Sequence, residues 1–528
     1  MKAALEAWQQ ALGAEHVLND TDSLQSYGRA TIPISRRISA VLRPESTEQV
    51  SSIVRIASEH RVSLYPISVG RNWGYGSANP VAEDNVIVDL SRMQGIELNG
   101  ELAYAVIEPG VTQESLYRYL KDRGAQLWID PTGAGPQVSV LGNALERGYG
   151  ITPYGDHFAQ IAGMEIVLPD GQVLHTGFGH WENAVATRVF PRGIGPYLDG
   201  LFTQSNLGIV TRIGVWLMPV PEHFELCLFS TDKDENLDGL VNSARCLLLQ
   251  GVLRSSLNLM HRNRILTMVS QYPWDLMQGQ TPLSEEVAQK LADQKRIGIW
   301  NGVTAVYGTR RQVRAAKAVI RHELKGQTNR LVFISQKKLE FLERFPGPLS
   351  WITGLNIPEV IEAVRPGFGV LSGNPTESSL AVCYWRTPKK PSGASIDPAR
   401  DACGLNWFAP VIPMTSAHVR EFRSIVEPIF EKHGLECCIT LTSVTARAFD
   451  CTLPILFDPQ RQGDPERAEA CNRELLEACA ACGYIPYRVG VQSMSWLKER
   501  SSVYWDFVAR LKQCVDPAGI LAPGRYGG

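Results

Sequence analysis

A run of glycines and small polar residues in the first hundred residues has the composition of an anion-binding loop. Over Ser68–Ser77, three glycines alternate with serine and asparagine, directly after an apolar run, Val62–Ile67, that predicts a strand. Such a segment can turn several backbone N–H groups toward one point and form a nest for an anion. A pyrophosphate is a natural guest, although ordinary turns would explain the same glycines.

Two further glycine-rich segments follow the first within the next 140 residues. One is Leu141–Gly150, and the other begins at Gly193 and continues into Leu201–Thr211. The familiar alternatives are excluded by their missing residues. The chain has no GxxxxGK[ST] loop, no HExxH zinc motif and no GxSxG nucleophile elbow. Gly177-Phe-Gly179 begins like a dinucleotide fingerprint, but Glu182 stands where its third glycine belongs.

The elements around these loops alternate between strand and helix. Helical patterns cover Thr47–His60 and Thr112–Gly124, and strand patterns cover Asn85–Leu90 and Ala103–Glu108. Met164–Leu174 predicts a hairpin, because Pro-Asp-Gly between two apolar runs favours a turn. Residues 1–45 are expected to form one helix and then an irregular arm.

The pattern changes after Pro219 and Pro221, so we place a domain boundary near residue 222. Beyond it, helices such as Glu285–Lys295 and Arg311–Leu324 alternate with strands such as Gly302–Val306 and Leu380–Tyr384, which indicates an α+β fold. Residues 387–402 form a polar loop, and Trp496–Cys514 predicts a last helix. The three units are therefore residues 1–222, 223–486 and 487–528.

The bulk composition is that of an ordinary globular protein. The chain has 528 residues, a formal net charge of -2 and 44% hydrophobic residues, so nothing favours binding to nucleic acid or an anionic membrane. No window reaches the ~18 consecutive apolar residues of a membrane helix. Eleven scattered cysteines and an amphipathic N-terminus without signal-peptide character favour reduced thiols and a cytoplasmic location. Cys479-Ala-Ala-Cys482 is expected to be structural, and we expect no metal site.

Several segments together resemble one family of flavoproteins. Pro66–Ser77, Val140–Gly148, Thr152–His157 and Gly195–Val210 are similar to segments of the vanillyl-alcohol oxidase and 4-cresol dehydrogenase (methylhydroxylase) family. Later matches include Trp407-Phe-Ala-Pro410, Tyr487-Arg488 and Ile520–Arg525. The matches keep their order from about residue 45 to the C-terminus. No single segment would be specific to this family, but the ordered set of segments is.

The resemblance implies a two-domain FAD-linked oxidase fold. The N-terminal unit and the last stretch of chain would form the FAD-binding domain, and the unit between them would be a substrate (cap) domain. The cofactor-binding residues implied are Ser68, Val69, Gly70, Arg71, Asn72, Trp73, Leu141, Gly142, Asn143, Arg147, Gly148, Tyr154, Gly155, Gly208, Ile209, Val210 and Arg525.

The resemblance also implies the catalytic residues. Tyr75, Tyr487 and Arg488 match the residues that hold a substrate phenol as its phenolate in relatives, and Arg525 matches a cation near the flavin N1–C2=O edge. A phenol has a pKa near 10, so neighbouring donors and a guanidinium would favour its anion. The phenolate would then assist hydride loss from the para benzylic carbon to flavin N5, giving a quinone methide.

This sequence departs from the family at positions where relatives carry chemistry. Leu405 stands two residues before the Trp407–Pro410 tetrad, where some relatives bind the flavin covalently through a histidine. Ala134 replaces an aspartate of the oxidase branch. We therefore expect non-covalent FAD, with a covalent link through Tyr384 as the alternative. No clear match to the acids that assist water addition is found around Ile439–Phe449.

Other hypotheses stay open from the sequence alone. The same fold could oxidise an alcohol, a 2-hydroxy acid or a natural-product intermediate, and a non-enzymatic flavin-binding protein is a third possibility. The electron acceptor is either oxygen or a redox protein. We expect a small aromatic substrate and a homodimer.

Overall fold

The computed structural model describes residues 1–353, 357–387, 395–499 and 502–527. Its strands are β1 (Val17–Leu18), β2 (Ile38–Leu42), β3 (Leu64–Ile67), β4 (Asn85–Asp89), β5 (Ile96–Asn99), β6 (Tyr104–Ile107), β7 (Leu127–Trp128), β8 (Ile161–Val167), β9 (Val173–His175), β10 (Ile209–Trp216), β11 (Met218–Pro219), β12 (His223–Thr231), β13 (Asn258–His261), β14 (Trp300–Gly308), β15 (Arg330–Ser335), β16 (Gly404–Phe408), β17 (Val411–Pro413), β18 (Thr440–Thr445) and β19 (Ala448–Phe457).

Its helices are α1 (Lys2–Leu12), α2 (Thr21–Tyr27), α3 (Thr47–His60), α4 (Gln113–Asp122), α5 (Val140–Leu145), α6 (Leu237–Leu249), α7 (Arg262–Val269), α8 (Glu285–Lys295), α9 (Arg310–Glu323), α10 (Gln336–Arg344), α11 (Pro346–Thr353), α12 (Ile357–Leu371), α13 (Ser416–Lys432), α14 (Asp464–Ala481), α15 (Met494–Lys498) and α16 (Ser502–Val515).

The N-terminal part is built on two sheets. The first has the order β1-β2-β4-β3, with β2, β4 and β3 parallel, and its central strand β4 is buried at every position. A strand buried on both faces reads as a continuous apolar run, as Asn85–Asp89 does. The second sheet has the order β5-β6-β10-β8-β9 and is antiparallel throughout.

The middle part is one large antiparallel sheet with helices packed on both faces, here called the cap sheet. Its order is β15-β12-β14-β13-β18-β19-β16, and β17 pairs with β19. On β19, Phe449, Cys451, Leu453 and Ile455 are completely buried and pack into the same core as α6, α9, α13 and α14. The residues between them, such as Asp450 and Thr452, must point to the opposite face, because side chains alternate along a strand.

The last residues return to the first sheet. The amide of Leu64 in β3 donates to the carbonyl of Ile520 at 2.7 Å, and the amide of Ala522 donates back to Leu64 at 2.7 Å. Ile520 and Leu521 are buried in the core of that sheet. Arg525, four residues later, is thereby carried beside the N-terminal loops.

The α+β fold class is confirmed, and several predicted elements match closely. Helices Thr47–His60 and Glu285–Lys295 have the predicted bounds, and the hairpin forms between β8 and β9. The predicted boundary near residue 222 falls just before β12. Residues 388–394 of the predicted polar loop lie outside the described residues.

Three predicted elements are wrong. Residues 1–45 contain α2 and strands β1 and β2 after α1, so the arm is not irregular. Ser378–Tyr384 is a 3-10 helix rather than a strand, since a short apolar run has no periodicity that separates the two. The last helix is divided into α15 and α16.

Three other features of the described residues are the state of the cysteines, the arrangement of metal-ligating side chains and the apolar character of the helices. All eleven cysteines are free, with Cys479 buried and Cys482 exposed. The described part of the chain has no group of three or more His, Cys, Asp or Glu side chains arranged to hold a metal ion. Among the described helices, none combines the length and apolar character that crossing a bilayer requires.

Candidate active site

One cavity lies between the N-terminal sheets, the cap sheet and the C-terminal segment. Most of the predicted cofactor and catalytic residues line it. They are Ser68, Val69, Gly70, Arg71, Asn72, Trp73, Tyr75, Leu141, Gly142, Asn143, Gly208, Ile209, Val210, Arg488 and Arg525. The structure thus brings together residues that lie more than 450 positions apart in the sequence.

Four predicted cofactor residues are not part of the cavity wall. Arg147 turns its Nε to the hydroxyl of Thr203, at 3.1 Å. Gly148 follows it in a tight turn whose amide donates to the carbonyl of Asn143. Tyr154 and Gly155 lie farther along the same loop, where Tyr154 packs on the core beneath the cap sheet. These residues hold the loop in its conformation through contacts away from the cavity.

The first glycine loop presents free backbone donors to the cavity. The amides of Gly70, Arg71 and Asn72 donate no hydrogen bond to any described residue, whereas those of Gly74, Tyr75 and Ser77 all do. The buried hydroxyl of Ser77 also has no partner among the described residues. Unpaired donors at a cavity wall suit the phosphate oxygens of a dinucleotide.

The glycines on either side of Tyr75 are required by what packs against them. Gly74 has a φ of 77°, and a Cβ there would lie 2.2 Å from Cδ1 of Trp407. Gly76 has a φ of 120°, and a Cβ there would lie 2.4 Å from Cγ2 of Val491. Side chains at either position would therefore displace Trp407 or Val491. Tyr75 itself is 7% exposed and faces the cavity.

Backbone hydrogen bonds join this turn to two distant segments. The amide of Trp407 donates to Gly74 at 3.2 Å, and the amide of Val491 donates to Tyr75 at 3.0 Å. The amide of Tyr487 donates to Ala409 at 3.2 Å. Trp407, Tyr487 and Arg488 are placed around Tyr75 by main-chain contacts, so their positions do not depend on side-chain packing alone.

Tyr75, Glu146, Tyr487, Arg488 and Arg525 form a group that we call the floor of the site. The guanidinium of Arg488 lies 4.1 Å from the centre of the Tyr75 ring, within the range of a cation–π contact. Arg488 also donates to the side-chain oxygen of Asn72 and forms an ion pair with Glu146 at 3.2 Å. Tyr487 interacts with the Tyr75 hydroxyl and has Tyr149 edge-on, with ring centres 5.7 Å apart.

Glu146 is the one counter-charge that the two cations of the floor share. It accepts from Arg525 and from the Tyr526 hydroxyl, the latter at 2.8 Å, in addition to its ion pair with Arg488. Burial alone would raise the pKa of Glu146, but Arg525 and Arg488 hold it below its usual range. Sequence reasoning missed this residue, because its partners lie more than 340 positions away.

The tyrosines of the floor stay protonated near neutral pH. Burial raises the pKa of Tyr75 well above its usual range, even though Arg488 opposes the shift. Burial also raises the pKa of Tyr487, and Tyr75 and Asp450 add to that effect. Both hydroxyls are therefore available as hydrogen-bond donors to an anion placed between them and Arg488.

A second group of residues carries buried polar atoms without partners and lies on the cap sheet and on α7; we call it the cap face: Asn258, Arg264, Thr440 and Asp450. None of the four is among the residues that line the cavity. Asn258 and Asp450 stand in one row of the cap sheet, both paired with Thr442. In the described chain, one side-chain oxygen of each, Oδ1, has no hydrogen-bond partner, and neither does the Thr440 hydroxyl. Buried polar atoms without partners are uncommon in folded proteins.

Asp450 is the titratable group of the cap face. Burial raises its pKa to about 7, against a single weak contact from the Thr452 hydroxyl at 3.3 Å that lowers it. Its charge raises the pKa values of Tyr75, Tyr149 and Tyr487, so it lies close to the floor. The resemblance gave no clear match to an acid around Ile439–Phe449, and Asp450 directly follows that segment. An aspartate in an otherwise apolar strand was the available signal.

The three positions that depart from the family have different surroundings. Ala134 lines the cavity and brings no titratable group to it. Leu405 is buried in the core around α7. Tyr384 shares that core, and its hydroxyl donates to Asp401 at 2.7 Å. Tyr384 is not among the residues that line the cavity, and a link through it stays a prediction.

Comparison with known proteins agrees with this geometry. Residues 38–177 match the FAD binding domain family, and residues 415–526 match the C-terminal domain of FAD linked oxidases. The chain is 39% identical to 1'-carboxy-chondrochloren decarboxylase from Chondromyces crocatus over 100% of its own length and 97% of that protein. It is 29% identical to the 4-cresol dehydrogenase [hydroxylating] flavoprotein subunit from Pseudomonas putida, over 99% and 95% of the two chains.

The fold is shared with solved members of the same group. The structure of 4-ethylphenol oxidase from Gulosibacter chungangensis, in complex with isoeugenol, superposes with a TM-score of 0.89 and 30% identity, over 100% of this chain and 97% of that one. The chain belongs to the vanillyl-alcohol oxidase and 4-cresol dehydrogenase flavoprotein family. It is accordingly an FAD-linked oxidoreductase with the two-domain fold of that family.

Membership assigns the cavity to FAD, and the residues present fit that cofactor. The unpaired amides of Gly70–Asn72 suit the pyrophosphate, and Arg525 supplies a positive charge on the same wall. Close packing supports the third loop, since a Cβ at Gly208 would lie 2.5 Å from Ile166.

Proposed function

We propose that this enzyme oxidises a para-substituted phenol at its benzylic carbon. The observation that carries the proposal is the floor itself, where the guanidinium of Arg488 lies against the Tyr75 ring and the Tyr75 hydroxyl interacts with Tyr487. Arg488 is 9% exposed, and its guanidinium is held in one position by Glu146 and Asn72.

The floor is suited to hold a phenol as its phenolate. A free phenol with a pKa near 10 is almost wholly neutral at pH 7. Two O–H donors and a guanidinium around its oxygen stabilise the anion and lower that pKa. The phenolate pushes electron density through the ring and weakens the benzylic C–H bond toward loss as a hydride. The remaining product is a quinone methide.

Bound FAD would supply the acceptor of the two electrons by taking that hydride at N5. The protein's own contribution is to orient the substrate and to manage charge and protons. Arg525 would favour negative charge on the flavin ring, because it is half-buried and shares its carboxylate partner, Glu146, with Arg488. Trp407 and Trp73 would exclude water from the cavity, which both of them line.

Asp450 is the residue that we assign to proton transfer. Its pKa of about 7 lets it both hold and release a proton near neutrality. It is buried within electrostatic reach of Tyr75 and Tyr487, and so it can receive the proton that the substrate phenol gives up. This assignment supplies the acid that the sequence comparison left without a match.

A second candidate function shares the first step. The decarboxylase relative from Chondromyces crocatus acts, by its name, on a carboxylated compound. If the carbon beside the benzylic carbon bears a carboxylate, the quinone methide can release CO2. The electrons of the broken C–C bond form the new C=C bond, and the ring returns to a phenolate. The hydride leaves first and CO2 second, and an alkenylphenol is the product.

Anaerobic mixing separates these possibilities from other oxidations. We expect the flavin absorbance of the holoenzyme to bleach with 4-propylphenol but not with 4-propylanisole, whose methyl ether cannot ionise. Equal bleaching by both compounds, or by neither, would refute the phenolate proposal and leave the alcohol and 2-hydroxy acid alternatives. Acid precipitation of the same sample reports the attachment of FAD, and we expect a colourless pellet.

A further inference from the structure

One buried arginine of the cap face has no counter-charge. Four arginines are at most 9% exposed in the described part of the chain: Arg262, Arg264, Arg386 and Arg488. Three of them have a carboxylate, namely Glu285, Glu436 and Glu146 respectively. Arg264 has none among the described residues, and its Nε and Nη1 have no hydrogen-bond partner there either.

The surroundings of Arg264 do not neutralise it. Its nearest titratable neighbours are the thiols of Cys383 and Cys438, whose pKa values burial raises far above their usual range, so both stay uncharged. Burial lowers the pKa of Arg264 itself, but a guanidinium remains protonated in any case. The guanidinium of Arg264 is therefore a buried positive charge without a counter-charge among the described residues.

Arg264 does not line the cavity itself but lies beside a residue that does, Trp407. Its guanidinium carbon lies 5.9 Å from the centre of the Trp407 ring. That indole lines the cavity and packs directly against Gly74, the neighbour of Tyr75. One aromatic ring thus contacts both the turn that carries Tyr75 and the unpaired cation.

Burying a charge without a partner is costly, and folded proteins rarely retain such a group unless something pairs with it. A stacking contact with Trp407 offsets only a small part of that cost. The Thr440 hydroxyl and Asp450 Oδ1, on strands of the same cap sheet as Trp407, also have no partner in the described chain. An unpaired guanidinium beside a ring that lines the cavity favours a ligand with an anionic end.

We propose that Arg264 binds a carboxylate carried by the substrate's side chain, while the floor holds its phenol. This inference rests on the proposed function for the phenol end, and it names the substrate class as a phenol with an acidic para side chain. Two planar N–H groups of a guanidinium match the two oxygens of a carboxylate. The chemistry of the second candidate function needs such a group in the same place.

The first test uses the wild-type holoenzyme and a matched pair of ligands. The acid 3-(4-hydroxyphenyl)propanoate and its neutral amide have the same shape and differ in charge. We expect the acid to bind roughly 10–100-fold more tightly, as a charge-assisted pair typically does. Equal or weaker binding of the acid, followed through the perturbed flavin absorbance, would overturn the proposal without any variant.

The second test changes the cation. In Arg264→Met the ratio of acid to amide affinity should fall by at least about tenfold, and Arg264→Lys should recover part of it. Arg262→Met is the matched control, since Arg262 is equally buried on the same helix but is paired with Glu285. The ratio should not change in that control. A purely structural role for Arg264 would lower FAD content or Tm while leaving the ratio as it is in wild type.

The two proposals fail in different ways. If no phenol bleaches the flavin, the proposed oxidation is wrong, and the binding ratio still tests Arg264. If phenols bleach the flavin but acid and amide bind alike in all variants, the oxidation stands and the carboxylate site is refuted. Release of CO2 from the acid, with 4-vinylphenol as product, would support both the phenol oxidation and the carboxylate site.

Discussion

The floor and the cap face differ in how their charged side chains are paired. On the floor, Arg488 and Arg525 share Glu146, and Tyr526 donates to the same carboxylate. On the cap face, Arg264 has no carboxylate among the described residues, and Asp450 is left with one weak contact. Each arginine of the floor therefore has a carboxylate partner, with one positive charge in excess, whereas Arg264 of the cap face has no carboxylate partner among the described residues.

The contrast indicates which of the two is complete without a substrate. A network in which every cation has a carboxylate partner fixes its members in position, as a site for a cofactor and a phenolate requires. Polar groups without partners instead favour a ligand that supplies them. The floor and the cap face should therefore respond differently to substitution: changes on the floor should cost stability and catalysis, and changes on the cap face should alter pH dependence and substrate preference.

The largest effect is expected from Glu146→Gln, which removes the counter-charge of both floor arginines. Breaking a buried ion pair by removing one partner costs about 3–5 kcal/mol. We expect a lower Tm and weakened FAD retention, measured by thermal unfolding and by the flavin absorbance of the purified protein. Glu101→Gln, in an exposed turn, is the control. A Glu146→Gln protein that keeps its Tm and its full FAD content would show that the ion pairs of Glu146 with Arg488 and Arg525 do not stabilise the floor.

Arg488→Met should be next, with a loss mainly in catalysis. Removing a fixed cation that stabilises developing charge typically lowers the rate about 10²–10³-fold. The rate of anaerobic flavin reduction by 4-propylphenol is the measurement, and Arg118→Met, at an exposed pair with Glu114, is the control. A decrease of less than tenfold would be evidence against a phenolate at this end.

Asp450→Asn tests the titratable group of the cap face. Because burial raises its pKa to about 7 from an ordinary value near 4, the unfolded chain ionises it first. Stability should therefore fall as pH rises from about 4 to about 7, and the Asn variant should lack that decrease. The rate of flavin reduction should rise through about pH 7 in wild type only. Parallel pH profiles in the two proteins would refute the assigned role.

Thr440→Val should have the smallest effect. The hydroxyl that it removes is buried without a partner among the described residues, so its loss should leave stability unchanged or raise it by up to about 1 kcal/mol. The Tm and the affinity for the propanoate acid check this. A large loss of stability would reveal a hydrogen bond that the described structure lacks, and the contrast between the floor and the cap face would be weaker.

The predictability of the floor and the cap face from sequence also differs. Tyr75, Tyr487 and Arg488 were found because they sit in ordered motifs, and the glycines around Tyr75 reported the tight turn that carries it. Glu146 lies within a quoted loop, yet nothing local shows that two distant arginines meet it. Arg264 and Asp450 had no motif at all, and only the strand register brings Asp450 into a row with Asn258.

Secondary structure shows the same division. Long amphipathic helices such as α3 and α8 were predicted to the residue, because their caps and periodicity are local signals. The segment Ser378–Tyr384 was not, because its conformation is set by packing against α7 and not by its own pattern. The homodimer, the electron acceptor and the attachment of FAD stay predictions.

The ionisation of a bound phenol tests the central claim most directly. The phenolate of 4-hydroxybenzaldehyde absorbs at longer wavelength than the neutral form, so its ionisation can be titrated on the holoenzyme by difference spectroscopy. The floor predicts a pKa for the bound ligand that is at least about one unit below that of the free phenol, equivalent to 1.4 kcal/mol, and a smaller shift in Arg488→Met. A bound pKa equal to or above the free value would contradict the account.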